Sequence, residues 1–87
     1  MESVKRKIYR KNGLRLLFRY MDDFANCVDA ITLNQRIRIE KAGTNRWTPD
    51  CNEYPYFIAI GRLEDEDYLY LDKLFKSLNL TENAIRH

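Results

Sequence analysis

The side chains able to do covalent chemistry in this sequence are few, and their spacing assembles no recognisable reaction centre. The 87 residues include two cysteines, Cys27 and Cys51, one histidine, His87, and two serines, Ser3 and Ser77. A serine or cysteine nucleophile is activated by a base within hydrogen-bond reach, most often an imidazole. No internal imidazole is present, and neither serine lies in a strand-to-helix elbow. A reactive thiolate needs an electropositive neighbourhood, whereas Cys51 stands between Asp50 and Glu53. Gly13, Gly43 and Gly61 form neither a phosphate-cradling loop nor a dinucleotide fingerprint. Two cysteines and a terminal histidine at this spacing do not match a zinc pattern. The sequence therefore predicts no enzyme, no cofactor and no metal centre.

The carboxylate run Glu64, Asp65, Glu66 and Asp67, with Asp22 and Asp23, would attract a hard cation if the groups converged. Neighbouring side chains on a helix point apart, so the run reads better as the acidic first turn of a helix.

Binding chemistry is better represented. Lys5, Arg6, Lys7, Arg10 and Lys11 cluster near the start and continue into Arg15 and Arg19, while Arg36 and Arg38 share one face of an alternating segment. Phosphates reward such clustering through counterion release. Tyr9, Trp47 and Tyr54 are of a type that stacks on unpaired bases. Set against this, no RNA-recognition signature is present, and the same cations would serve as solvated guards on an edge strand. The stretch Arg46-Trp47-Thr48-Pro49, followed by Asn52 and Tyr54, offers hot-spot residue types in a proline-stiffened loop. For a basic partner, Glu64 to Asp67 would supply the contact instead.

Charge is unevenly placed along the chain. Residues 1–47 hold eleven Lys or Arg against five Asp or Glu, a net +6, and residues 48–87 hold four against eight, a net −4. A dipolar molecule follows if the fold keeps the two halves apart.

These features predict first a small non-enzymatic binding protein that regulates or inhibits a larger partner by covering its surface. Arg36, Arg38, Arg46, Trp47 and Tyr54 would be its contacts. Small motif-poor domains carried by phages and mobile elements against host machinery are the analogy. The second expectation is a nucleic-acid-binding module using Lys5, Arg6, Lys7, Arg10 and Lys11 with the Arg36/Arg38 face.

The elements that must position these residues follow from hydrophobic period. Leu14, Leu17, Met21, Phe24, Val28 and Ile31 recur at steps of three and four, which predicts a helix from Leu14 to Thr32. Leu16, Phe18, Tyr20 and Cys27 fall off that stripe, so the helix must be covered on a second side. The cover would come from the sheet, or from a second copy with Leu16 and Phe18 at a homodimer interface. Residues 3–10 suggest an edge strand or a basic arm, closed by the turn dipeptide Asn12-Gly13. Arg36 to Ala42 alternates as a strand with one wet face, and Gly43-Thr44-Asn45 carries turn chemistry. Tyr56 to Leu63 reads as a strand buried on both faces, pairing antiparallel with Arg36–Ala42. Tyr68, Leu71, Leu74, Phe75 and Leu78 give a second helix behind the carboxylate run.

The predicted fold is one α+β domain over 1–87, ordered β-α-β-β-α, with two amphipathic helices on a short, mainly antiparallel sheet. It is similar in layout to an incomplete split βαβ unit, which hosts many functions. No internal repeat is visible. Two cysteines are too few for a disulfide framework, and Cys27 is expected to be a buried thiol. No signal peptide and no membrane span is expected, so a cytoplasmic location follows.

Overall fold

The central feature of the fold is an apolar strand buried on both faces. In Gly13-Leu14-Arg15-Leu16-Leu17-Phe18, four large apolar side chains within five positions would over-cover a helix, but a strand distributes them to two sides. A computed structural model describes residues 2–10, 13–46 and 49–80. In chain order these form β1 (Val4–Arg10), β2 (Gly13–Phe18), α1 (Met21–Leu33), β3 (Arg38–Thr44), a 3-10 turn (Pro49–Asn52), β4 (Tyr56–Gly61) and α2 (Asp65–Ser77). The strands make one four-stranded antiparallel sheet in the order β1-β2-β4-β3, with β2 and β4 in the centre. The α+β class, with two helices on a mainly antiparallel sheet, is as the sequence suggests, and β4 pairs with β3 as expected.

One element differs in kind. Residues 14–18 are strand, and the first helix begins only at Met21. Leu14 and Leu17 therefore face opposite sides of the sheet, and Met21 is 62% exposed instead of lying on a buried stripe. The true buried stripe of α1 is Cys27 and Ile31, flanked by the partly buried Phe24 and Val28. Leu16 and Phe18, expected at a dimer interface, are fully buried beneath the helices. The apolar excess thus belongs to a central strand, and the helices supply its cover on that side.

The bounds of β3 shift for a local reason. The Arg36 N–H donates to the Asn34 side chain at 3.0 Å and the Ile37 N–H to the Asn34 carbonyl at 3.3 Å. A turn uses those donors, so the ladder opens at Arg38. It runs on through Gly43 and Thr44, opposite Phe57 and Tyr56, and the chain leaves the ladder at Asn45.

Both helices pack on one side of the sheet. Their core joins Val4, Leu14, Leu16, Phe18, Ile58 and Ile60 from the strands to Cys27, Ile31, Leu71, Leu74 and Phe75 from the helices. The Tyr70 hydroxyl donates to the Ala30 carbonyl at 3.3 Å and ties α2 to α1. At the end of α2, Asn79 adopts φ +58°, and the Leu80 N–H returns to the Phe75 carbonyl at 2.9 Å. This left-handed C-terminal cap satisfies carbonyls that would otherwise be orphaned.

The chain thus runs β-β-α twice. Each helix has 13 residues, and the buried pair Cys27/Ile31 recurs forty-four positions later as Leu71/Phe75. Arg15 and Ala59, separated by the same interval, are direct cross-strand partners at the centre of the sheet. The repeat is one of topology, carried by different residues in each half.

Candidate nucleic-acid interface

Among the described residues, the other side of the sheet has no helix. Directly opposed residues of an antiparallel pair share a face, so the register gives the composition of this side row by row. One row is Lys7, Arg15, Ala59 and Lys41; the next is Lys5, Leu17, Phe57 and Gly43; Arg38 lies beyond, opposite Gly61. Arg19 follows on the same side. A bulge at Ile39/Lys41 restores Lys41 to this face after Ile39 has turned to the helices.

A small apolar floor lies among these cations. Leu17, Tyr54, Phe57 and Ala59 form a separate buried cluster. The Arg15 guanidinium carbon lies 5.6 Å from the Phe57 ring centroid, that of Arg19 5.0 Å from the Tyr54 centroid, and Lys5 Nζ 5.8 Å from the same ring. Cation–π contacts of this kind fix long side chains over the floor.

Tyr54 is brought to this face by the β3–β4 connection. The Asn45 N–H donates to the Pro55 carbonyl at 2.8 Å, and its side-chain amide donates to the Tyr54 carbonyl at 2.9 Å, closing the base of the loop. The Tyr54 hydroxyl donates to Glu2 Oε1 at 2.8 Å, and Arg19 Nε donates to the Glu2 carbonyl at 2.8 Å. Arg19 also reaches Glu53 at 3.8 Å. Burial, helped by the Glu2 carboxylate, raises the Tyr54 phenol above its usual pKa.

Charge is segregated by layer. The four strands carry Lys5, Arg6, Lys7, Arg10, Arg15, Arg38 and Lys41 against Glu40, a net +6. The two helices carry seven acids against Lys73 and Lys76, a net −5. The dipole expected between the halves of the chain is realised between sheet and helices. Among the strand cations, Arg6 turns to the helix side, where it pairs with Asp72 and lies 4.9 Å from the Phe75 ring centroid.

The residues singled out in the sequence are dispersed. Arg36 precedes β3 and pairs with Glu66 and, at 3.5 Å, with Asp67, so it shares no strand face with Arg38. Its guanidinium pKa is raised, chiefly by the hydrogen bond to Glu66. Tyr54 is 4% exposed and belongs to the floor, which corrects the expectation of an accessible ring. Arg46 is exposed in the loop. Trp47 and Lys11 lie outside the described residues, as do the side chains of Tyr9 and Arg10. Glu64 is the N-cap of α2 and its N–H donates to Asp67 Oδ2 at 2.9 Å, so the buried Asp67 is committed to the helix start, while Asp65 and Glu66 are exposed.

Sequence reasoning missed Lys41 and Phe57, because their place depends on the bulge and on which side of β4 the helices cover. Arg15 and Arg19 were noted as part of the basic cluster, yet a helical reading turned them away from the strand cations.

The described residues hold no group of three or more His, Cys, Asp or Glu able to bind a metal ion. No described helix is long and apolar enough to cross a membrane. Both cysteines are free, and the Cys27 thiol is pushed up to about 12 by burial and then by the Asp23 charge. Asp23 is itself raised, by burial first and then by Asp22. Comparison with known proteins gave no matching family model, no matching curated protein and no matching solved structure.

Proposed function

We propose that the protein binds nucleic acid across the open side of its sheet. The observation that carries this reading is the segregation of charge by layer. Cations from β1, β2 and β3 gather on the face that no described helix covers, while the helix layer behind it is acidic. A polyanion is attracted to the first layer and repelled by the second, which orients the molecule as well as binding it. Lys7, Arg15, Arg38 and Lys41 are the proposed phosphate contacts, with Lys5 and Arg19 at the loop end.

The test is binding of mixed-sequence duplex and single-stranded probes by fluorescence anisotropy across a salt series. Neutralising a phosphate contact removes roughly 0.9 from the slope of log K against log salt for duplex and about 0.7 for a single strand.

A second reading, occlusion of a protein partner, draws on the exposed Arg46 in a loop whose base is pinned by Asn45. Its support is narrower, since Tyr54 is buried and Arg36 is engaged with α2. Retention of a discrete protein from nuclease-treated lysate, lost on Arg46→Ala and indifferent to Lys7 and Lys41, would favour it over the first.

A further inference from the structure

The cations of the open face stand in two lines. Lys5 and Lys7 on β1, joined by Arg15 on β2, make one line, and Arg38 and Lys41 on β3 make the other. Between them β4 turns Phe57, Ala59 and Gly61 to this side and carries no charge. Neighbouring strands lie about 4.8 Å apart, so the lines are separated by about 10 Å from β2 to β3 and about 14 Å from β1 to β3.

The two rings of the floor are covered by the same cations. Phe57 is 2% exposed and Tyr54 4%. The Arg15 guanidinium carbon stands 5.6 Å from the Phe57 centroid, and Arg19 and Lys5 lie 5.0 and 5.8 Å from that of Tyr54. A base stacks on the same ring surface that a cation–π contact uses. A base could stack on Phe57 or Tyr54 only by displacing a cation and opening the floor. Sheets that grip single strands do so by presenting such rings to unpaired bases.

We infer that the open face takes double-stranded nucleic acid, each cation line on one backbone with a groove between them. The major groove of B-form DNA is about 12 Å wide, which falls within the separation of the lines. A single strand has one backbone to offer and depends on stacking for the remainder of its affinity. This rests on the nucleic-acid reading of the open face. Recognition by the two lines is of charge and spacing, and phosphate contacts carry no base sequence.

The experiment compares a DNA duplex, an RNA duplex and a single strand without self-complementarity, all of equal length, by fluorescence anisotropy with the full chain. Each phosphate contact contributes roughly 0.9 to the salt slope on a duplex and roughly 0.7 on a single strand. For equal affinity at about 1 M salt, the five cations of the two lines favour a duplex by roughly tenfold at about 0.1 M. A preference of that size is expected, and which duplex shows it separates DNA from RNA as the source. Lys5→Ala/Lys7→Ala and Arg38→Ala/Lys41→Ala, which weaken one line each, should both lower the duplex slope by roughly 1.8. Melting checks that each variant folds, and the wild-type comparison decides without them. A single strand bound as tightly as both duplexes, or a slope lowered by one pair and not the other, would overturn the inference and leave the basic face standing. No binding to any probe at low salt, or a slope that neither pair alters, would overturn both.

Discussion

The Arg19 guanidinium carbon lies 5.0 Å from the centroid of the Tyr54 ring, while the Tyr54 hydroxyl donates to Glu2. A tyrosine that the sequence offers as a surface contact is instead the anchor of the β3–β4 loop, roofed by a cation that is itself tied to Glu2 and Glu53. The pair joins the three parts of the account: the sheet face, the loop and the opening residues of the chain.

Substitutions at Tyr54 should report on stability before binding. Tyr54→Phe keeps the ring and loses the hydrogen bond to Glu2, a cost of about 1 kcal/mol. Tyr54→Ala also empties the floor over Leu17 and Phe57, a cost of about 3 kcal/mol or more. Urea unfolding of the two variants separates the contributions; an alanine variant as stable as the wild type would contradict the burial of this ring.

Asp67 and Arg36 are partners of unequal weight. Asp67 is 4% exposed and accepts from the Glu64 N–H, so Asp67→Ala leaves a helix-start donor unpaired and costs about 1–2 kcal/mol. Arg36 is exposed and its ion pairs are screened by solvent, so Arg36→Ala costs less than Asp67→Ala. Thermal melts followed by circular dichroism should rank them in that order.

The Cys27 thiol makes stability fall in alkali. Its proton is held to about 12 in the fold, against a reference of 9.0. Between those values the unfolded chain has lost a proton that the folded chain keeps, so rising pH favours unfolding. Below about pH 9 the contribution is flat; near pH 10 it amounts to about 1 kcal/mol. Chemical unfolding at neutral and alkaline pH should show Cys27→Ala, less stable overall, with a shallower alkaline loss than the wild type. Equal losses would contradict the assignment. Thiol reagents should modify the half-buried Cys51 well before Cys27.

The boundary between β2 and α1 has a direct mutational signature. Leu16→Ala should cost about 2–5 kcal/mol, because Leu16 is wholly buried. Met21→Ala, on a residue 62% exposed, should stay within about 0.5 kcal/mol. A helix running through both would not separate them so sharply.

That boundary also marks where the sequence stops being legible. The second helix, the antiparallel β3–β4 pair and the edge strand β1 could be read, because acidic first turns, alternation and lysine-rich edges are local signals. Leu14 to Phe18 carries no such signal. An apolar run buried on both faces mimics the period of a helix when Met21 and Phe24 continue it in step. Asp22 and Asp23 did mark the true helix start, and the apolar excess at Leu16 and Phe18 was the symptom of a strand. The candidate interface was less legible still. Lys5, Lys7 and Arg38 could be proposed from clustering alone, but their alignment with Arg15 and Lys41 is a product of strand order and one bulge, which no local pattern encodes.

The most direct test of the central claim is the salt dependence of nucleic-acid binding for the wild type and for Lys7→Ala/Arg38→Ala/Lys41→Ala. All three residues lie on the open face, away from the core. The account predicts measurable binding at low salt that weakens linearly in log salt, and a slope reduced by roughly 2 to 3 in the triple variant, with melting unchanged. A wild type that binds no duplex or single-stranded probe at low salt, or a triple variant with an unaltered slope, would contradict it.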